Sequence, residues 1–266
     1  INASATNPTT TAPIVTGDLN GKTVMITGAN SGIGYEAAKH FAKMALRDLS
    51  CSVKHIGTLD ILVENAAAVY FDYVTTKDGW EAMLQVNSLG PALHTILLLP
   101  LISKTAKEHS VAPRIAVVSS EVMSVVKIGS DVLSSKDYLT TAGHHYPLFK
   151  LFLVQHRSVA LNPGFCLSGL RRRATGAYAE RFKKMEDEFV YTSEEGSRQI
   201  IYAAIGGTDE ELRGAFTSYS QVAEVSEWML SEEGKEAEDK IWDEMLELFS
   251  KIDDRVSPII AEYLKA

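Results

Sequence analysis

The chain has 266 residues, 45% hydrophobic and 23% charged, which are the values of a globular protein able to bury a sizeable core without staples. A net charge of −8 and a pI of about 5.4 argue against a general binder of nucleic acid or of anionic membranes, since either wants a basic face. Two cysteines, Cys51 and Cys166, cannot build a disulfide framework, and a reducing, cytoplasmic setting is the simpler reading.

Residues 1–18 are polar and rich in Thr, Asn and Pro, with neither a basic flank nor an apolar h-region. They read as an N-terminal arm, ordered where Ile14 and Val15 touch the domain, and not as a signal peptide. Residues 19–266 show no composition break and read as one domain. KTVMITG (22–28) is a short apolar run ending in glycine, a buried strand. The residues after it, ANSGIGYEAAKHFAKM, place Ile33, Ala37, Ala38 and Phe41 at helical spacing. LDILVENAA (59–67) predicts a second buried strand. WEAMLQVNSLGPALHTILLLPLI (80–102) predicts a long, mostly apolar helix. No apolar run approaches the roughly 18–20 residues of a membrane span. The longest candidate, residues 91–102, is broken by His94 and two prolines and reads as a buried helix.

PRIAVVSS (113–120) predicts a third strand. YPLFKLFLVQ (146–155) is helical, and SVALNPG (158–164) is a fourth strand closed by Pro-Gly. TSEEGSRQIIYAAIG (192–206) opens with a capping box, Thr192 to Glu195. GAFTSYS (214–220) is a last strand. SEEGKEAEDKIWDEMLELFSKID (231–253) is a charged amphipathic helix with Ile241, Trp242, Met245, Leu248 and Phe249 on its apolar side; it reads as packing and leaves room for a homodimer contact. Strands alternating with helices predict a parallel sheet covered on both faces.

Two motifs carry chemistry. In Thr27-Gly28-Ala29-Asn30-Ser31-Gly32-Ile33-Gly34, glycines supply the bare backbone and free N–H groups that a phosphate needs at a helix N-terminus. Alone they are equally a structural turn, but the strand before and the helix after favour a nucleotide site. In Tyr146-Pro-Leu-Phe-Lys150, positions i and i+4 share one helix face. A lysine ammonium beside a phenol favours the tyrosinate and lowers its pKa from about 10, so Tyr146 can exchange protons with an alcohol or carbonyl near neutral pH.

The ordered set TGANSGIG (27–34), ENAA (64–67), VNSLG (86–90), VVSS (117–120), YPLFK (146–150) and NPG (162–164) resembles the short-chain dehydrogenases/reductases over most of the chain, from about Leu19 to the C-terminal helices. The form of the glycine turn and the charged C-terminal helices are most similar to the retinol-dehydrogenase-like branch, including its fungal members. The resemblance implies a Rossmann-like doubly wound parallel sheet in a three-layer α/β/α single domain. It implies that Gly28, Gly32 and Gly34 wrap a cofactor pyrophosphate with Asn30, Ser31 and Ile33 alongside. By the same resemblance Asp48, Leu49, Asn65 and Ala66 flank the adenosine side, and Pro163, Gly164 and Ser168 border the nicotinamide. Tyr146 would be the proton donor or acceptor. Lys150 would bind the nicotinamide ribose and tune Tyr146. Ser120 would hold the substrate oxygen, and Asn87 would anchor a relay water. The family likeness tilts the cofactor weakly toward NADP(H) over NAD(H).

The chain departs from the family pattern in several places. Glu64 and Ala67 replace the usual Asn and Gly, and Phe149 puts bulk before Lys150. Ser120 precedes Tyr146 by about twice the family's usual spacing, so residues 121–145 are expected to border the substrate pocket. Between Met44 and Leu59 the family needs a strand, a helix, a strand and a helix, over about 30 residues at ordinary element sizes. This shortage, and a similar one after Gln155, predicts residues missing from the sequence at seams near 44/45, 54/55 and 155/156.

His144, His145 and His156 lack the partners of a metal site, and no metal is expected. Arg171-Arg172-Arg173 is either a phosphate grip or, more often, a solvated run. Cys166 reads as a small packing residue. The function expected is an NAD(P)(H)-dependent oxidoreductase that interconverts an alcohol and a ketone or aldehyde on an apolar small molecule. The alternatives are a non-catalytic binding or scaffold protein on the same fold and a family member that epimerises or dehydrates.

Overall fold

Five strands run parallel: Val24–Ile26 (β1), Ile61–Glu64 (β2), Arg114–Val118 (β3), Ser158–Asn162 (β4) and Phe216–Ser218 (β5). A two-residue strand, Gln221–Val222 (β6), returns antiparallel beside β5. The order across the sheet is the order in sequence. The structure, a computed structural model, describes residues 12–45, 56–121 and 158–264. The register is tight in the middle, where Val63 faces Ile26 on one side and Ala116 on the other.

β2 and β4 are buried at every position, and their sequences are accordingly continuous apolar runs without alternation. One face is covered by helices Gly32–Met44 (α1) and Ser193–Ile205 (α4), whose Ala37, Phe41, Ile200 and Ile201 pack on Ile61, Val63, Ala116 and Leu161. Val15 of the N-terminal arm touches this cluster, while Ile14 stays exposed. The other face is covered by Gly90–His109 (α2), with Leu98, Leu101 and Ile102 on Leu62, Ile115 and Val117. The helix Gly176–Phe189 (α3) lies over the carboxyl ends of the strands and is treated with the site below. Helices Glu232–Ile252 (α5) and Val256–Tyr263 (α6) pack against α2 through Ile241, Met245, Phe249, Val256 and Ile260. The result is the expected Rossmann-like, three-layer α/β/α sheet.

α2 is entered through a helical turn, Ala82–Leu84, and a π-helical stretch, Gln85–Leu89. Together they make a 28-residue helix, Ala82–His109, long and apolar enough by length and composition to cross a membrane, contrary to the reading of its sequence. The shorter window 91–102 hid this, because the two prolines do not end the helix: Pro91 sits in the first turn, where no N–H is needed, and Pro100 is tolerated inside. Its apolar side chains are used against the sheet and against α5.

The helix termini follow their local sequences. The capping box at α4 forms as predicted: Thr192 Oγ1 accepts from Glu195 N–H, and the Glu195 carboxylate takes the Thr192 N–H at 2.7 Å. The same device starts the short helix Asp209–Leu212 at Thr208 and Glu211.

The seam expected at 44/45 does not exist. α1 runs through Met44, and the Ala45 N–H donates to Phe41 O at 3.1 Å, so the peptide is continuous. The places 54/55 and 155/156 lie outside the described residues. The shortage itself is real in the sheet. The usual doubly wound order, 3-2-1-4-5-6, puts two strands outside the first. Among the described residues β1 stands at the edge, and it alone of the parallel strands is half-buried at all three positions.

Phe249 is buried between α5 and α2. Phe249→Ala should lower unfolding free energy by about 3–5 kcal/mol, read from a denaturant midpoint at unchanged slope.

Candidate active site

A cleft of about 590 Å³ opens at the carboxyl ends of β1 to β4. Its floor is built by a knot of hydrogen bonds between the ends of β1 and β2. Thr27 Oγ1 accepts from the backbone N–H of Asn65 at 2.9 Å and of Ala66 at 3.1 Å. The Asn65 side-chain amide donates to Thr27 O at 2.9 Å and to Gly28 O at 3.4 Å. That amide fills the space a side chain would need at Gly34, where a Cβ would also come within 2.7 Å of Gly28 O. Gly34 is therefore required by strand–helix packing and does not line the cleft. Gly28 and Gly32 turn the chain with φ of +71° and +59°, in the left-handed region that favours glycine.

Above this knot α1 begins without a side-chain cap. Ser31 is extended, makes no capping bond, and is followed by no acidic residue in the first turn. α4 and the Thr208 helix, by contrast, each have a capping box and two or three acidic residues there. The first-turn N–H groups of α1 thus face the cleft as anion donors with no carboxylate competing for them. A Cβ on Gly32 would approach only Ser168 Cβ, at 3.6 Å, so the backbone is bare there. These features fit a pyrophosphate, and they are the test that a dinucleotide cofactor passes at this end of the cleft.

Glu64 is buried at the end of β2. Its carboxylate accepts from Thr27 Oγ1 at 3.0 Å and pairs with His94 Nδ1 at 2.6 Å. The hydrogen bond from Glu64 holds the His94 pKa above the ordinary imidazole value, against the opposing effect of burial. A carboxylate here stands where the family usually has Asn, and His94 from α2 supplies its compensating charge.

The far wall is apolar. Phe165, Phe182, Met185 and Phe189 line it, the last three from α3. Arg171 lies flat on Phe165, 4.0 Å from the ring centroid, and donates to Cys166 O at 2.7 Å and to Glu186 at 3.1 Å. It is a mostly buried staple between the loop and α3, neither a phosphate grip nor a solvated residue. Arg172 and Arg173 are exposed; Arg172 reaches the cleft and Arg173 sits over Tyr70. Cys166 donates its thiol to Pro163 O at 3.1 Å, and burial pushes its pKa up to about 12, which removes it as a nucleophile.

No family model matches the sequence. A short chain dehydrogenase of Arthrobotrys oligospora is 25% identical over 312 aligned positions, covering 91% of this chain and 96% of its own. A solved 3-ketoacyl-(acyl-carrier-protein) reductase from Brucella melitensis, complexed with NADH, is similar with a TM-score of 0.56 at 16% identity over 76% of this chain and 97% of its own. An NADPH-bound carbonyl reductase from chicken fatty liver is similar with a TM-score of 0.50 at 17% identity, over 76% and 98%. The chain belongs to the short-chain dehydrogenase/reductase family. The fungal alignment is longer than the 266 residues of this chain, so it opens gaps in it: the relative carries residues that this family member lacks.

Of the residues expected to serve this family's chemistry, the fold brings Gly28, Asn30, Ser31, Gly32, Ile33, Asn65, Ala66, Ser120, Pro163, Gly164 and Ser168 to one cleft. Gly34 and Asn87 stand outside it. Asn87 is buried in the π-helical stretch, and both ends of its amide bond the backbone of Ala68 at 2.8 Å, so it braces the segment after β2. Asp48, Leu49, Tyr146 and Lys150 lie outside the described residues, as do His144, His145, His156 and the segment expected at the pocket border. Sequence reasoning gave no role to Thr27, to Asn162 or to the α3 wall. Asn162 donates to Ser218 at 3.1 Å and accepts from Gly164 N–H at 3.2 Å, which fixes the Pro-Gly turn. The stripe Phe182, Met185, Phe189 was visible at i, i+3, i+7.

Two predictions follow from this geometry. Gly34→Ala should cost about 1–3 kcal/mol of stability, because the added methyl meets Asn65 and backbone; a thermal melt measures it. The stability supplied by the His94–Glu64 pair is complete below the ordinary imidazole value of 6.5 and is lost as pH rises through the elevated His94 pKa. Melting temperature against pH should therefore fall across that range in the parent chain and lose this component in His94→Gln.

Proposed function

We propose that the chain is an NAD(P)(H)-dependent oxidoreductase that interconverts an alcohol and a ketone or aldehyde on an apolar small molecule. The observation that carries this reading is the uncapped start of α1, with bare Gly32, opening into the same cleft as Ser120 and the Pro163–Gly164 turn. Gly28, Gly32 and the α1 N–H groups would hold the pyrophosphate, and Pro163, Gly164 and Ser168 would border the nicotinamide. That ring, when bound, supplies or accepts the hydride.

The protein handles the proton and the aim. In reduction the Tyr146 hydroxyl gives its proton to the substrate oxygen; in oxidation its phenolate takes the alcohol proton. Lys150, one helical turn away in sequence, favours the phenolate by its charge and would also hold the nicotinamide ribose. The Ser120 hydroxyl donates a hydrogen bond to the same substrate oxygen. The wall of Phe165, Phe182, Met185 and Phe189 excludes water and favours an apolar or aromatic substrate body. The weak tilt toward NADP(H) rests on the family resemblance alone.

Tyr146→Phe should reduce turnover by about 10²–10⁴-fold while leaving cofactor affinity nearly intact. Turnover like that of the parent chain on a verified carbonyl substrate contradicts the proposal. Lys150→Ala should weaken cofactor binding and move the oxidation-direction pH optimum upward, measured as kcat/KM against pH.

A further inference from the structure

A dinucleotide site of this kind is made of two mononucleotide-binding halves, one on each side of the point where the strand order reverses. The nicotinamide half is present here: β2, β3 and β4 stand beside β1, and their carboxyl ends carry Asn65, Ser120 and Asn162 at the cleft. The adenosine half requires strands beyond β1. The described residues supply none, and β1 is half-buried throughout, as an edge strand should be. The undescribed stretch between Ala45 and Ile56 holds ten residues, 46–55. A strand–helix–strand unit takes about 30 or more, so those ten cannot build the missing half whatever their path. The gaps that the 312-position alignment opens in this chain agree with that count.

We infer that this chain grips its cofactor by the nicotinamide riboside and pyrophosphate alone, and that the adenosine passes beyond the edge of β1 into solvent. This rests on the reading of the cleft as a nicotinamide-cofactor site and narrows it. The residue that normally distinguishes the two cofactors, an acid on the adenosine 2′-hydroxyl or an arginine on the 2′-phosphate, sits about 20 residues past the glycine turn at the missing strand. Without that strand the 2′-phosphate has no fixed partner. The cofactor class is then any reduced nicotinamide nucleotide with a 5′-phosphate, and nicotinamide mononucleotide is nearly sufficient.

The test is direct titration of the full chain with NADH, NADPH and reduced nicotinamide mononucleotide, followed by nicotinamide fluorescence and by calorimetry. We expect NADH and NADPH to bind within about threefold of each other, and the mononucleotide within about tenfold of NADH. A single charge-assisted hydrogen bond to a 2′-phosphate would by itself separate the first two by about tenfold or more. AMP should not displace NADH. Gly32→Ala, which places a side chain at φ +59° over the anion site, should weaken all three ligands by a common factor. A preference above tenfold for either dinucleotide, or for NADH over the mononucleotide, overturns the inference and leaves the proposed function standing. Binding of none of the three overturns the proposed function, and the inference with it.

Discussion

The side chain of Asn65 is the contact on which the cleft depends. β1 is only three residues long and lies at the sheet edge, so its ladder bonds to β2 alone cannot fix the glycine turn that follows. Asn65 closes the gap. It bonds two successive carbonyls of the turn, and its own N–H is held by Thr27. Its amide also occupies the volume that forces glycine at position 34. Turn, strand end and first helix are thereby one rigid piece, and the free N–H groups of α1 point where a phosphate can meet them. Buried polar groups impose this rigidity only when satisfied, and the Thr27–Asn65 pair satisfies both partners.

The same corner carries a buried charge. Glu64 adds a carboxylate to a region built to attract anions, which would oppose pyrophosphate binding if left uncompensated. His94 reaches down from α2 and balances it, and Thr27 shares the load by donating its hydroxyl proton. A buried carboxylate without such partners would cost several kcal/mol or take up a proton. The substitution of Glu for the family's Asn is thus tolerated through a residue thirty positions away that belongs to a different element.

Much of the fold was legible in the sequence because its strands are buried on both faces. Runs such as ILVE and SVALN have no alternation to misread, and the capping box at Thr192 announced the start of α4. The glycine turn and the Pro-Gly turn were legible as members of one site for the same reason: both close buried parallel strands at their carboxyl ends. Less was legible where a residue's role depends on a partner distant in sequence. Gly34 read as a phosphate ligand, but Asn65, 31 positions on, sets its size. Asn87 read as a water anchor, yet its amide is spent on Ala68. α3 escaped notice because it is mostly charged and buries no residue fully. The short link after α1 was taken as a seam, when the chain there is a continuous helix end and the family's outer strands are absent from the protein's own sequence.

What the account claims above all is that the first turn of α1, held in place by Asn65, is an anion cradle open to the cleft. Backbone amide shifts under titration with inorganic pyrophosphate test this without any dependence on catalysis. Saturable shifts centred on the amides of Gly32, Ile33 and Gly34, and absent from the capped first turn of α4, are the predicted result. Shifts confined to exposed basic residues such as Arg172 and Arg173, with the α1 amides unmoved, would contradict it.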